Sequence, residues 1–243
     1  MLQAIRSATF VGHIYVMMLV IGLAYAPYAI VSRHGARAGC KGYSRYVFWS
    51  MRWWVGIRAE VRGDVPEGEV LIAAKHQSFL DIMMIFTALP SAKFIMKRSI
   101  LWTPIIGLYA RRLECVPVER GKRGAAIAQM VADVEAGRVN PGQLIIYSQG
   151  TRVAPGVKAP YKVGTGVLYE QLGQPCVPVA TNVGVLWPRT GLRRTPGLAV
   201  VEFLPPIAPG MEREAFMATL EETVEARSGA LMRELGYDPD AVH

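Results

Sequence analysis

Cysteine is scarce in this chain. Its three residues, Cys40, Cys115 and Cys176, are dispersed over 243 positions. An odd number without metal spacing argues against a disulfide framework and reads as reduced, structural thiols of a cytoplasmic compartment. Histidine is nearly as thin, four residues spread along the chain, so no zinc cluster is expected. No Ser or Cys stands in a Gly-x-Ser-x-Gly setting, which leaves no nucleophile elbow. No internal repeat, low-complexity segment or nucleic-acid motif is present. Apart from His13, no acidic or basic residue occurs from Ala8 to Val31.

That uncharged stretch would be about 36 Å long as a helix, enough to cross a hydrocarbon core or lie obliquely in it. A cleaved signal peptide is the rival reading, since Arg6 precedes the run and Ala24-Tyr25-Ala26 imitates a cleavage site. Pro27 and the length of the run favour a retained anchor. The basic cluster Arg33, Arg37, Lys41 and Arg45 that follows would remain cytoplasmic, together with the rest of the chain. Tyr43 to Gly56 mixes Tyr46, Phe48, Trp49, Trp53 and Trp54 with Arg45 and Arg52. This pattern suits a helix in the headgroup region, or equally one packed on a domain. The formal charge is +8 and 51% of residues are hydrophobic, with a pI near 9.6 and a mean hydropathy of +0.23. Together these point to acidic membrane lipids rather than nucleic acid as the anionic partner.

Chemistry concentrates in Lys75-His76-Gln77-Ser78-Phe79-Leu80-Asp81, between the apolar β-like run Val70–Ala74 and the apolar helical run Ile82–Leu89. Within one helix, His76 and Asp81 would sit about 140° apart. They meet only if His76 lies on the loop and Asp81 in the first helical turn. Ser78 supports that placement, because Ser-x-x-Asp before an apolar run reads as a capped helix start. One reading is a general base with its orienting carboxylate; the other is a plain capping box.

Two further strand-like runs end in charge. Leu113 to Val118 leads into Glu119-Arg120-Gly121, and Leu144 to Ser148 leads into Gln149-Gly150-Thr151-Arg152. A glycine after a strand lets backbone approach a ligand, and arginine can grip a phosphate with two parallel bonds. The remaining strand candidates are Ile57–Arg62, Val70–Ala74, Ala92–Met96, Pro175–Val183 and Leu198–Leu204. Helical patterns fall at Leu80–Leu89, Arg98–Tyr109, Arg123–Gly137, Lys162–Leu172 and Glu212–Leu235, the last with Phe216, Leu220 and Val224 on one stripe. The alternation predicts an α/β domain over residues 57–243, preceded by a membrane anchor and interfacial helix over 1–56. Val153–Pro160 reads as a surface loop able to serve as a mobile lid.

In this order the blocks resemble the 1-acyl-glycerol-3-phosphate (lysophosphatidic acid) acyltransferases of the glycerolipid acyltransferase superfamily, from about Trp53 to Leu235. His76 to Asp81 matches the His-x4-Asp block. Val118-Glu119-Arg120 matches the second, whose arginine contacts the acceptor phosphate. Tyr147 to Arg152 matches Phe-Pro-Glu-Gly-Thr-Arg, and Val177-Pro178-Val179-Ala180 the apolar fourth block. The departure is Ser148-Gln149 in place of Pro-Glu. Gln keeps an acceptor oxygen and loses the charge, which is tolerable if that side chain only makes a hydrogen bond or braces the loop.

The resemblance implies a single mixed-sheet acyltransferase domain flanked by helices and docked on the bilayer by an N-terminal helical pair. It implies transfer of an acyl chain from acyl-CoA or acyl-carrier protein to lysophosphatidic acid at an inner, cytoplasmic membrane, with the catalytic domain on the cytoplasmic face. His76 would be the general base and Asp81 its partner, with Lys97, Arg120, Gln149, Gly150, Thr151 and Arg152 binding substrate. Backbone N–H groups around the third block, such as that of Gly150, would stabilise the oxyanion. Neither cofactor nor metal is required. Alternatives are another lysolipid acceptor, such as an amino-acid-based one, and a membrane lipid-binding protein with impaired catalysis.

Overall fold

Strand β2 (Val70–Ala74) shows how the layers form. All five of its residues are buried. Val70, Ile72 and Ala74 enter one core cluster and Leu71 and Ala73 another, the alternation that pleated backbone imposes on a strand covered on both faces. The structure is a computed structural model, and it describes residues 1–118, 128 and 142–241. Around β2 stand β1 (Ile57–Arg62), β3 (Ala92–Lys97), β4 (Val116–Val118), β5 (Gln143–Tyr147), β6 (Cys176–Thr181) and β7 (Gly197–Phe203). They form one seven-stranded sheet in the order β1-β7-β6-β2-β5-β3-β4. Pairings are parallel except β6 with β7. The sheet is therefore mixed, and β2, β3, β4 and β5 all deliver their carboxyl ends to the same edge.

Helices cover both faces. On one lie α1 (Leu2–Val31), α2 (Arg33–Trp54) and α3 (Leu80–Ala88), whose Phe10, Ile14, Val47, Met51 and Met84 share a core with Ile72, Ile145 and Val179. On the other lie α5 (Gly164–Leu172) and α7 (Arg213–Arg233). There Phe216, Leu220 and Val224 make the expected core stripe, with Phe216 stacked on Tyr169 at 3.8 Å. The short helices α4 (Ile106–Arg112) and α6 (Val183–Leu186) lie between these elements.

The α1–α2 pair is a tight hairpin joined at Ser32, whose Oγ caps α2 by accepting from the His34 N–H. Gly35 is required there: a Cβ would stand 2.5 Å from the Tyr28 backbone. Along its whole length α1 touches the α/β domain. Gln3 donates to the Val55 and Arg194 carbonyls, and Ser7 accepts from the Arg194 N–H. At mid-helix Tyr109 donates to the Gly22 carbonyl, and near the far end Arg112 donates to that of Ile30.

Several boundaries differ from the sequence reading. The pattern Arg98–Tyr109 splits into a 3-10 turn, Arg98–Trp102, and α4, because Pro104 lacks an N–H and holds Thr103 extended. Strand β4 starts at Val116 rather than Leu113, since Leu113 ends α4 and Glu114 takes a positive φ of 57°. The Tyr43–Gly56 segment is the second half of α2, which also carries the basic cluster. One face of that half packs through Val47 and Met51, as the packed reading expects, while Trp49 and Trp53 stay exposed on the other. Of the Arg123–Gly137 pattern only Ala128, which is helical, is among the described residues.

Candidate active site

His76 leaves the end of β2, and Asp81 sits in the first turn of α3. Their side chains meet, Nδ1 of His76 lying 2.8 Å from Oδ1 of Asp81. Oδ2 of the same carboxylate accepts the backbone N–H groups of Gln77 at 2.8 Å and Ser78 at 2.7 Å. The capping box and the His–Asp pair are thus one structure. Asp81 is fully buried, and its three hydrogen bonds satisfy a charge that could not otherwise stay there. Ser78 turns its Oγ to the Leu80 N–H, which is helix capping.

The loop is pinned from four sides. The Gln77 side-chain carbonyl accepts from Gly184 N–H, and the His76 carbonyl accepts from Val153 N–H. Lys75, almost wholly buried, pairs with Glu225 of α7. The imidazole lies flat on the Tyr147 ring, centroids 3.9 Å apart and planes 19° apart. Burial, reinforced by the facing Asp81 carboxylate, pushes the Tyr147 phenol well above its ordinary range, so the ring stays neutral beside the imidazole. With a carboxylate on Nδ1, the proton resides there and Nε2 is left as the accepting nitrogen.

His76 stands at the head of an apolar cavity of about 760 Å³. Its walls come from α1 (Tyr15, Met18), α2 (Tyr43), α3 (Met83, Phe86) and the turn before α4 (Ile105). Cations gather on its polar side. Lys97 at the end of β3 and Arg152 line it, as do Lys162 and Arg189. Arg189 also donates to the Arg152 carbonyl at 3.1 Å. Lys162 and Arg189 escaped the sequence reading. Lys162 stood at the start of a helical pattern, and nothing near Arg189 marks it. Gly150 and Thr151 line the cavity as well.

Three expectations change. Gly150 has a φ of 70° and its N–H donates to the Tyr147 carbonyl at 2.8 Å, so the turn consumes the donor assigned to the oxyanion. Gln149 is buried and does not line the cavity; its Nε2 donates to the Ala159 carbonyl at 3.1 Å. The Val153–Pro160 loop is tied down by that bond, by Val153 to His76 and by Tyr237 to the Pro155 carbonyl, which is not the construction of a free lid. Arg120 lies outside the described residues; Val118, the last residue of β4, lines the cavity. Among the described residues no three His, Cys, Asp or Glu side chains converge on a metal position.

A His–Asp pair at a strand end thus faces an apolar cavity whose lining also carries Lys97, Arg152, Lys162 and Arg189. The sequence model described as Acyltransferase matches residues 57–182, more than half of the chain. The chain belongs to the acyltransferase family. This acyltransferase is 27% identical over 197 residues to the 1-acyl-sn-glycerol-3-phosphate acyltransferase of Pseudomonas aeruginosa, covering 80% of this chain and 77% of that one. It is 26% identical to the corresponding alpha enzyme of Bos taurus over 80% of this chain and 69% of that one. It shares its fold with the crystal structure of the 1-acyl-sn-glycerophosphate acyltransferase from Thermotoga maritima. There the TM-score is 0.76 at 20% identity, over 93% of this chain and 97% of that one. Its N-terminal apolar helix accords with association with a membrane.

Proposed function

We propose that this acyltransferase moves an acyl chain from a thioester, acyl-CoA or acyl-carrier protein, to the free hydroxyl of lysophosphatidic acid, giving phosphatidic acid. The observation that carries the reading is the 2.8 Å His76–Asp81 contact at the head of the cavity. Nε2 of His76 takes the hydroxyl proton as the oxygen attacks the thioester carbonyl. Asp81 stabilises the imidazolium that forms. When the tetrahedral intermediate collapses, the C–S bond breaks and the proton passes from His76 to the departing sulfur. Arg152 and Lys97, with Arg120 beyond the described residues, bind the acceptor phosphate, and the apolar walls hold the acyl chain. Gln149 supports the third block from behind through Ala159. No step calls for a metal or cofactor.

The chain works on one leaflet. Helix α1 is long and apolar enough to cross a membrane, yet hydrogen bonds tie its start, middle and end to the α/β domain. A helix so attached lies along the domain and embeds its outer face, where Val16, Leu19, Val20 and Leu23 are exposed. The basic residues of α2 favour the cytoplasmic side of an inner membrane. Purified protein in vesicles, given lysophosphatidic acid with each donor in turn, should form phosphatidic acid, and the His76→Ala protein should not. No product with either donor would overturn the acceptor assignment and direct the assay to other lysolipids.

A further inference from the structure

The segment Arg98–Arg112 carries exposed apolar surface, and its most exposed residue stands outside the catalytic cavity. Trp102 is 78% exposed and does not line the cavity, while Ile100 and Ile106 are 36% and 37% exposed. The Arg111 guanidinium lies over the Trp102 ring, 5.8 Å from its centroid. From Lys97 to Leu113 the chain has Lys97, Arg98, Arg111 and Arg112 and no acidic residue. Aromatic and aliphatic tips ringed by arginines are the composition of a bilayer interface.

The segment is also fixed to α1. Ile105 has φ 65° and ψ −65°, with the Ile106 N–H donating to the Pro104 carbonyl at 2.7 Å. This is a γ-turn, disfavoured for a β-branched residue, and strained backbone persists only where its surroundings hold it. What holds it is α1: a Cβ on Gly22 would stand 2.6 Å from Ile105 Cγ2, so the isoleucine occupies the notch that glycine leaves. Tyr109 to Gly22 and Arg112 to Ile30 extend the attachment on the same helix. The segment that carries Trp102 is thereby fixed to α1 at three points.

We propose that Arg98–Arg112 is a second membrane-inserting element, which seats Trp102 in the interfacial region of an anionic leaflet beside α1. The partner is a lipid bilayer, identified by continuity with the apolar face of α1 and by the basic residues around Trp102. Because Ile100, Ile105 and Ile106 line the cavity together with Tyr15 and Met18 of α1, its apolar side then opens within the leaflet and not toward bulk water. A lipid acyl chain reaches His76 laterally, without leaving the bilayer.

The experiment places an environment-sensitive NBD fluorophore at position 102 of the full chain through Trp102→Cys, with Glu222→Cys on the exposed side of α7 as the control. Burial pushes the native thiols Cys40 and Cys176 up to about 12 and also raises Cys115, so the introduced thiol is the most readily ionised of the four. Protein is floated on vesicles of phosphatidylcholine with or without phosphatidylglycerol, and only the floated fraction is measured. On anionic vesicles the label at 102 should brighten several-fold and be quenched by lipids that carry a doxyl group on the upper acyl chain, and the label at 222 should do neither. A label at 102 that such lipids leave unquenched on floated protein overturns the insertion. Equal quenching on phosphatidylcholine alone overturns the part given to the basic residues. The readout involves no turnover, so it is independent of which acceptor the site takes.

Discussion

The His76 end of the cavity and its opposite wall are held in different ways. Around His76 the contacts are directional. Asp81 accepts three hydrogen bonds, Gln77 reaches Gly184, and Tyr147 stacks on the ring. Each has a distance and angle that a small displacement degrades. The far wall, where α1 meets the turn before α4, rests on apolar contact between Gly22 and Ile105, with one tyrosine bond to a carbonyl. Such contact is non-directional and is sensitive to volume instead. Changes at the first end should therefore act on the chemical step, and changes at the second on which acyl chain fits.

The largest effect belongs to the base. His76→Ala should lower acyl transfer by about ten-thousand-fold, read as phosphatidic acid formed in vesicles, with the unfolding transition little changed. Asp81→Asn comes next, with a rate loss of about a hundred- to a thousand-fold. Asp81→Ala would in addition strand the buried N–H groups of Gln77 and Ser78. Urea unfolding should then show a stability loss of about 2–4 kcal/mol; an Asp81→Ala protein as stable as the native one would mean that the carboxylate does not organise this loop.

At the opposite wall, Gly22→Leu must displace Ile105. The overpacking should cost about 1–3 kcal/mol and should reduce the rate with long-chain donors by about tenfold while sparing short ones. An equal loss for all chain lengths would erase the distinction between the two ends. The smallest rate effect is expected for Gln149→Glu, less than about tenfold, because residue 149 does not face the cavity; its mark is on stability. A buried carboxylate aimed at the Ala159 carbonyl has no proton to donate, and the variant should lose about 1–3 kcal/mol. A gain of more than tenfold in rate would show that the missing charge matters to catalysis.

Much of the directional end was readable along the chain, because its parts are local. His76 and Asp81 are five positions apart, and a strand, a loop and a helix start suffice to bring them together. The same holds for β1 and β2, whose predicted limits, Ile57–Arg62 and Val70–Ala74, agree with the structure. Local signals failed where a competing partner decided the outcome. Nothing in Gln149-Gly150 reveals that the glycine N–H serves the Tyr147 carbonyl, or that the glutamine turns away to Ala159. The break at Thr103-Pro104 was marked by a proline, yet helical periodicity on both sides concealed it.

The sequence by itself determined the order of strands and helices, the strand ends that carry chemistry, the family, and the apolar character of the first helix, all of which follow from periodicity and spacing within short windows. Only the tertiary structure decided where that helix lies, that Lys162 and Arg189 join the cationic rim, and that Gly22 receives Ile105. Those contacts include Arg152 with Arg189, 37 positions apart, Gly22 with Ile105, 83 apart, and Gln3 with Arg194, 191 apart, and packing among distant segments is set by shape and volume, for which no short window of sequence has a signature.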